Sequence, residues 1–191
     1  MKNILIIITI LGVLYSNNPF GGLSYATSDN LDAINLNPAG LAVDRGLQFG
    51  IGIDQEYIEY GKLSLGLTNG LIGLSLLINK DGESDYTIGF GKSLPKINLY
   101  IGNSYSSENS LKTGVIYRPK NWFSTGISHN YFIDSNINEL RFASAFRPFG
   151  NKLTFSIDVF KDDIMNNEVG FESNINFNIL NGVNLIAGYK Y

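Results

Sequence analysis

The chain has 191 residues, 44% of them hydrophobic and 13% aromatic, with only 16% charged and a formal net charge of -3. The weak charge without a basic run excludes the electrostatic footprint of a nucleic-acid binder, and the absence of cysteine excludes disulfides, thiolate metal sites and lipidation at a cysteine. A mean hydropathy of +0.03 excludes a bundle of membrane helices, while 21 glycines and frequent Tyr and Phe point to an all-β chain.

Residues 1–16 read MKNILIIITILGVLYS: one Lys followed by an apolar run too short to cross a hydrocarbon core of roughly 30 Å as a helix. This pattern predicts a secretory signal peptide and therefore export. The alternative is an uncleaved anchor or a buried strand, because no clean small-residue cleavage pattern surrounds Ser16.

Residues 17–45 carry the segment DNLDAINLNPAG, which differs from everything after it. Asp29 is predicted to cap a short helix with Asp32 in its first turn, and Leu31 and Ile34 share a face. Asn37 then caps a second turn, Pro38 takes its first helical position with a preset φ, and Gly40 leaves it. Elements this short need packing to persist, so the segment is expected to sit in a barrel lumen as a plug.

Residues 46–191 alternate with period two, the signature of strands whose faces meet different surroundings. Eleven strands are predicted, starting near Gly46, Lys62, Leu71, Ser84, Lys96, Leu111, Asn121, Ile137, Lys152, Asn167 and Val183. Leu153, Phe155, Ile157 and Val159 point one way while Lys152, Thr154, Ser156 and Asp158 point the other. Phe171, Ile175 and Phe177 oppose Glu172, Asn174 and Asn176 in the same manner. Two architectures fit: a soluble sandwich or barrel with the apolar face inward, and a transmembrane-type barrel with that face toward lipid.

The polar face favours the second. It is rich in Gly, Ser, Thr and Asn, as suits a crowded lumen, with Glu139, Arg141, Asp158, Glu168 and Glu172 as candidate lumen-lining charges. Aromatics near strand ends, among them Tyr57, Tyr60, Tyr105, Tyr117, Trp122, Tyr131, Phe146, Phe149, Phe160 and Tyr191, match the interfacial girdles of membrane barrels. The connections also alternate. Compact turns at Asn69-Gly70, Leu94-Pro95-Lys96, Arg118-Pro119-Lys120, Pro148-Phe149-Gly150 and Asn181-Gly182 alternate with polar stretches at 79–85, 104–110, 133–136 and 161–167. With a periplasmic N-terminus, every compact turn falls on the periplasmic side. Eleven is an odd count, whereas single-chain bacterial barrels have even ones; a strand missed in 46–61, a longer parent chain, or closure by association would each resolve it.

The stretch GGLSYATSDNLDAINLNPAGLA, residues 21–42, resembles the N-terminal box of the FadL-type outer-membrane barrels, including the PorV-like branch. The resemblance implies that Asn37, Pro38, Ala39 and Gly40 form a hatch motif, and that hydrophobic compounds cross the outer membrane of a Gram-negative-type bacterium. This chain is far shorter than FadL-like transporters, leaving little room for their ligand site. Barrels with this box also resemble front modules of larger envelope proteins, including SppA-type peptidases, but nothing here supplies peptidase chemistry.

Residues for catalysis are not evident. The one histidine, His129, has Ser128 and Asn130 as immediate neighbours, which a strand sends to the opposite face. Asp29, Asn30 and Asp32 lack the glycine turn and distal Glu of a calcium loop. The sequence therefore predicts a non-enzymatic membrane barrel without a cofactor, with membrane lipid and small hydrophobic molecules as partners. A non-transporting anchor or scaffold and a secreted β-domain with an apolar interior are the alternatives.

Overall fold

The computed structural model describes residues 24–43, 46–53, 63–78, 82–165, 168–180 and 183–191. The leader at 1–16 and the aromatics Tyr57 and Tyr60 lie outside them. Among the described residues two short 3-10 helices come first, η1 (Leu31–Ile34) and η2 (Pro38–Ala42). Twelve strands follow among them: β1 (Gln48–Ile53), β2 (Leu63–Thr68), β3 (Ile72–Ile78), β4 (Ser84–Leu94), β5 (Leu99–Ser106) and β6 (Ser110–Lys120), then β7 (Phe123–Phe132), β8 (Ile137–Phe146), β9 (Pro148–Asn151), β10 (Leu153–Lys161), β11 (Gly170–Leu180) and β12 (Val183–Lys190). All except the four-residue β9 form one antiparallel sheet in chain order. This is an all-β fold of the antiparallel barrel type, and among the described residues no ladder joins β12 back to β1.

The two faces differ as the alternation requires. On one, Phe49, Leu67, Leu74, Ile88, Tyr105, Leu111 and Tyr131 stand opposite one another in a row across seven strands. A second row runs Ile101, Val115, Ile127, Phe142, Val159, Phe171. These side chains are exposed or half-buried, Phe49 at 67% and Phe171 at 37%, as are Phe155 at 40% and Ile157 at 50% on the same face. Soluble proteins rarely leave apolar patches larger than a few hundred Å² in water, because each Å² so left forfeits about 25 cal/mol. On the other face Ser124, Ser128, Asn130, Ser156, Asp158 and Asn174 are buried. Polarity is thus inverted relative to a soluble domain.

Because the sheet is antiparallel and sequential, the turns at Asn69-Gly70, Pro95–Ile97, Asn121-Trp122 and Pro148–Asn151 lie at one end. In the first, Gly70 has φ +81°, which a side chain would oppose, and Asn69 Oδ1 accepts from the N–H groups of Leu71 (3.1 Å) and Ile72 (2.8 Å). The fifth expected compact turn, Asn181-Gly182, lies outside the described residues.

Several local expectations are corrected. Arg118-Pro119-Lys120 is no turn: β6 continues through it, with a register shift between Tyr117 and Lys120 that spares Pro119 a place in the ladder. The polar stretch 104–110 is no long loop either, since β5 runs to Ser106 and β6 restarts at Ser110. Phe160 is not an exposed strand-end aromatic. It is 5% exposed on the polar face, where its ring covers Gly170 and takes Arg141 at 4.7 Å and Lys190 at 4.9 Å. At the turn end Trp122 meets Phe146 edge-on at 5.7 Å, while Tyr105 and Tyr131 donate to Asn109 and Asn136 at the opposite end.

Candidate functional site

The segment 24–43 lies on the polar face, and the sheet is shaped to receive it. Gly91, Gly102 and Gly114 stand opposite one another on β4, β5 and β6, continuing as Ser128 on β7. With Gly73, Gly89 and Gly126 they make a floor of bare backbone, where a methyl group would overlap the segment. At Gly102 it would strike the Pro38–Ala39 backbone, and at Gly114 the Asn37 carboxamide. Leu41 and Ile34 press on Gly73, and Leu41 also on Gly89 and Gly91. Glycine is thus selected by close approach rather than by conformation.

Asn37 is the hub. It is fully buried, and its Oδ1 accepts from the Ala39 N–H at 3.2 Å, capping η2 as the sequence suggests. Its Nδ2 donates to the carbonyl of Tyr25 (2.8 Å) and reaches those of Val115 (3.3 Å) and Ile127 (3.4 Å), tying both turns of the segment to β6 and β7. Pro38 occupies the first helical position. Gly40, expected to leave the helix, lies inside it, and a side chain there would run into the Ser28 carbonyl. Ala39 is fully buried between these contacts.

Charged latches hold both flanks. Asp158 on β10 is 2% exposed and accepts from Ser24 Oγ at 2.6 Å and from the Tyr25 N–H at 2.9 Å. Such charge-assisted bonds contribute roughly 1.5–3 kcal/mol each. Asp29, expected as a helix cap, instead pairs with Arg118 and, at 3.6 Å, with Arg147. Asn30 occupies the cap position without a side-chain capping bond, its Oδ1 accepting instead from Gln48 Nε2 at 3.4 Å, and its N–H donates to Asp32 Oδ1 at 3.0 Å. Lys112 donates to the Asn35 carbonyl and Ser128 to that of Leu36 (3.4 Å). Burial pushes the Asp32 carboxyl up to about 7, the Asn30 N–H opposing and the nearby Asp29 adding to the shift. Burial likewise pushes the Tyr25 hydroxyl up to about 12, offset in part by Arg141.

Of the remaining expected lumen charges, Glu139 and Arg141 line one small recess with Tyr25, Lys112, Ser128 and Asn130. Arg141 stacks between Tyr25 (5.2 Å) and Phe160 and pairs with Asp162 at 3.1 Å. Glu139 accepts from Asn130 at 3.4 Å, and Glu172 from Asn174 at 3.3 Å while facing Asp158 and Lys190 in the ladders. Glu168 is exposed and precedes β11. His129 binds Asn138 at 3.0 Å, with Ser128 and Asn130 on the opposite face. No acidic or histidine cluster fit for a metal occurs among the described residues. The glycine floor and the Asp29–arginine latch are not among the features the sequence predicts. The period-two recurrence of Gly89-x-Gly91 and its alignment with Gly102 and Gly114 was the available signal for the first.

The fold and this filled face define the class: an antiparallel barrel-type sheet whose polar side is occupied by its own N-terminal segment. No family model matches the chain, and no curated protein does. Among solved structures, two mutants of a Rhodopseudomonas blastica porin are similar at 12% identity and a TM-score of 0.49, covering 69% of this chain and 50% of theirs. A chain described under "Asymmetric conductivity of engineered proteins" is similar at 11% identity and 0.49, covering 73% and 53%. The chain spans about half the length of these structures.

Proposed function

We propose that the chain is a FadL-like outer-membrane barrel whose segment 24–43 is a hatch, and that small hydrophobic compounds pass only when the hatch shifts. The observation that carries this reading is the inverted polarity: apolar rows lie uncovered on one face, while the other is sealed by a segment seated on bare glycine backbone. A lipid-facing wall explains the first and a regulated lumen the second. The NPAG box at Asn37–Gly40 supports the family assignment, since each of its residues has a packing or hydrogen-bonding reason to be what it is. The tightness of that seat supports a second reading, in which the barrel is a closed anchor that transports nothing.

Absence of cysteine makes the two separable. Ala26 packs in a buried cluster with Ala143 on β8, so Ala26→Cys with Ala143→Cys places a reducible lock between segment and wall. In proteoliposomes loaded with a fluorescent hydrophobic solute, the hatch reading predicts uptake that stops on oxidation and returns on reduction. Uptake unaffected by a lock verified on gels contradicts gating. No uptake in either state favours the anchor.

A further inference from the structure

At the turn end of the sheet, beside the Asp29 latch, a cavity of about 340 Å³ is lined by Arg118, Asn121, Arg147, Gly150 and Asn151. We propose that this cavity is an oxyanion site for a phosphate group, whether free or carried by a lipid headgroup, and that its occupant competes with Asp29 for the two arginines. Three observations lead there. Two guanidiniums share a single carboxylate, leaving one positive charge uncompensated by Asp29. Arg118 Nε is buried without a hydrogen-bond partner, and the two arginine side chains are only 15% and 5% exposed. A planar donor fork held in a partly dried wall is the arrangement that binds oxyanions by paired charge-assisted hydrogen bonds, and Asn121 and Asn151 add amide donors at the rim.

The ligand chemistry follows from the donors. The lining side chains are two arginines and two asparagines, whose stems add apolar surface and whose heads add donors, so a tetrahedral oxyanion can take bonds from both arginines and the amides. Because Asp29 belongs to the N-terminal segment and both arginines to the wall, an anion that draws them away loosens the segment's attachment. The site stands whether or not the barrel transports anything.

The test is calorimetric titration of inorganic phosphate into the full chain in neutral detergent micelles, against chloride at matched ionic strength. Saturable binding with one site per chain is expected. Arg118→Gln should weaken it about tenfold or more, as losing a charge-assisted donor implies. Asn151→Asp, a change at an exposed rim position, should weaken it without disturbing the fold, and Asp29→Asn should tighten it severalfold by removing the competing carboxylate. Repeating the titration in nanodiscs separates the sources. Weaker phosphate binding in phosphatidylcholine nanodiscs than in phosphate-free detergent micelles assigns the site to a headgroup phosphate, and equal binding assigns it to the free anion; both support it. Heats indistinguishable from chloride, or indifference to both Arg118→Gln and Asn151→Asp, would overturn the proposal, as would weaker binding in Asp29→Asn.

Discussion

Asp32 lies where the segment is most sensitive to proton activity. It is 5% exposed in η1 and holds the Asn30 N–H, and its carboxyl titrates near pH 7 in the fold against about 4 in an unfolded chain. The folded state therefore binds the proton more tightly. Its contribution is fully present below about pH 4 and is lost as pH rises toward and through 7, by a few kcal/mol at most. Proteolytic protection of residues 24–43 should accordingly be greater at pH 5 than at pH 8, and Asp32→Asn should flatten that difference. A profile that rises with pH, or one unchanged by the substitution, contradicts the assignment. Burial of this carboxyl was not legible in the sequence, where an acid near a helix start reads as an exposed capping partner. The same limit applies to Asp29: the residues that take it, Arg118 and Arg147, stand 89 and 118 positions away, and no local rule connects them.

Among elements, the strands were the most legible part, because a sheet between two different surroundings imposes its period on every residue. Strand starts fell within a few residues of expectation, and all eleven sheet strands were anticipated. Errors fell at places where period two is silent. Pro119 reads as a turn residue until the register shift beside it accounts for its missing N–H, and Phe160 reads as an interfacial ring until Gly170 opposite leaves room for it on the polar side. The η2 seat gives the sharpest prediction at this scale. Gly102→Ala inserts a methyl group into the Pro38–Ala39 backbone while leaving the β4–β5–β6 ladders able to form. The expected outcome is a barrel that still shows heat-modifiable gel mobility but whose segment is cleaved by protease several times faster. Unchanged cleavage means that the segment does not rest on this floor.

At the scale of the whole molecule, the seat and the wall depend on each other. The segment supplies hydrogen-bond partners for Ser124, Ser128 and Asp158, which on a sheet exposed to water would need none and in an empty dry interior would lack them. Conversely, two short 3-10 turns have too few internal bonds to persist alone and acquire their order from the sheet, η1 from β1 to β4 and η2 from β4, β5 and β6. What the sequence conveyed at this scale was the direction of polarity, through a Gly-, Ser- and Asn-rich face opposed to a Phe- and Ile-rich one. How a segment of twenty residues meets strands from β1 to β10 is not readable, because it depends on how the sheet curves around it.

The central claim is therefore about which face meets lipid. Since the chain has no cysteine, single substitutions can carry nitroxide labels without background. Labels at Phe155, Ile157 and Phe171, compared with labels at Ser156 and Asn174, should be read in phospholipid vesicles by power-saturation EPR with oxygen and a water-soluble nickel chelate. With the apolar face in lipid, the first three relax with oxygen and ignore the chelate, while the other two respond weakly to oxygen. Chelate-accessible labels at Phe155, Ile157 and Phe171 would place that face in water and contradict it.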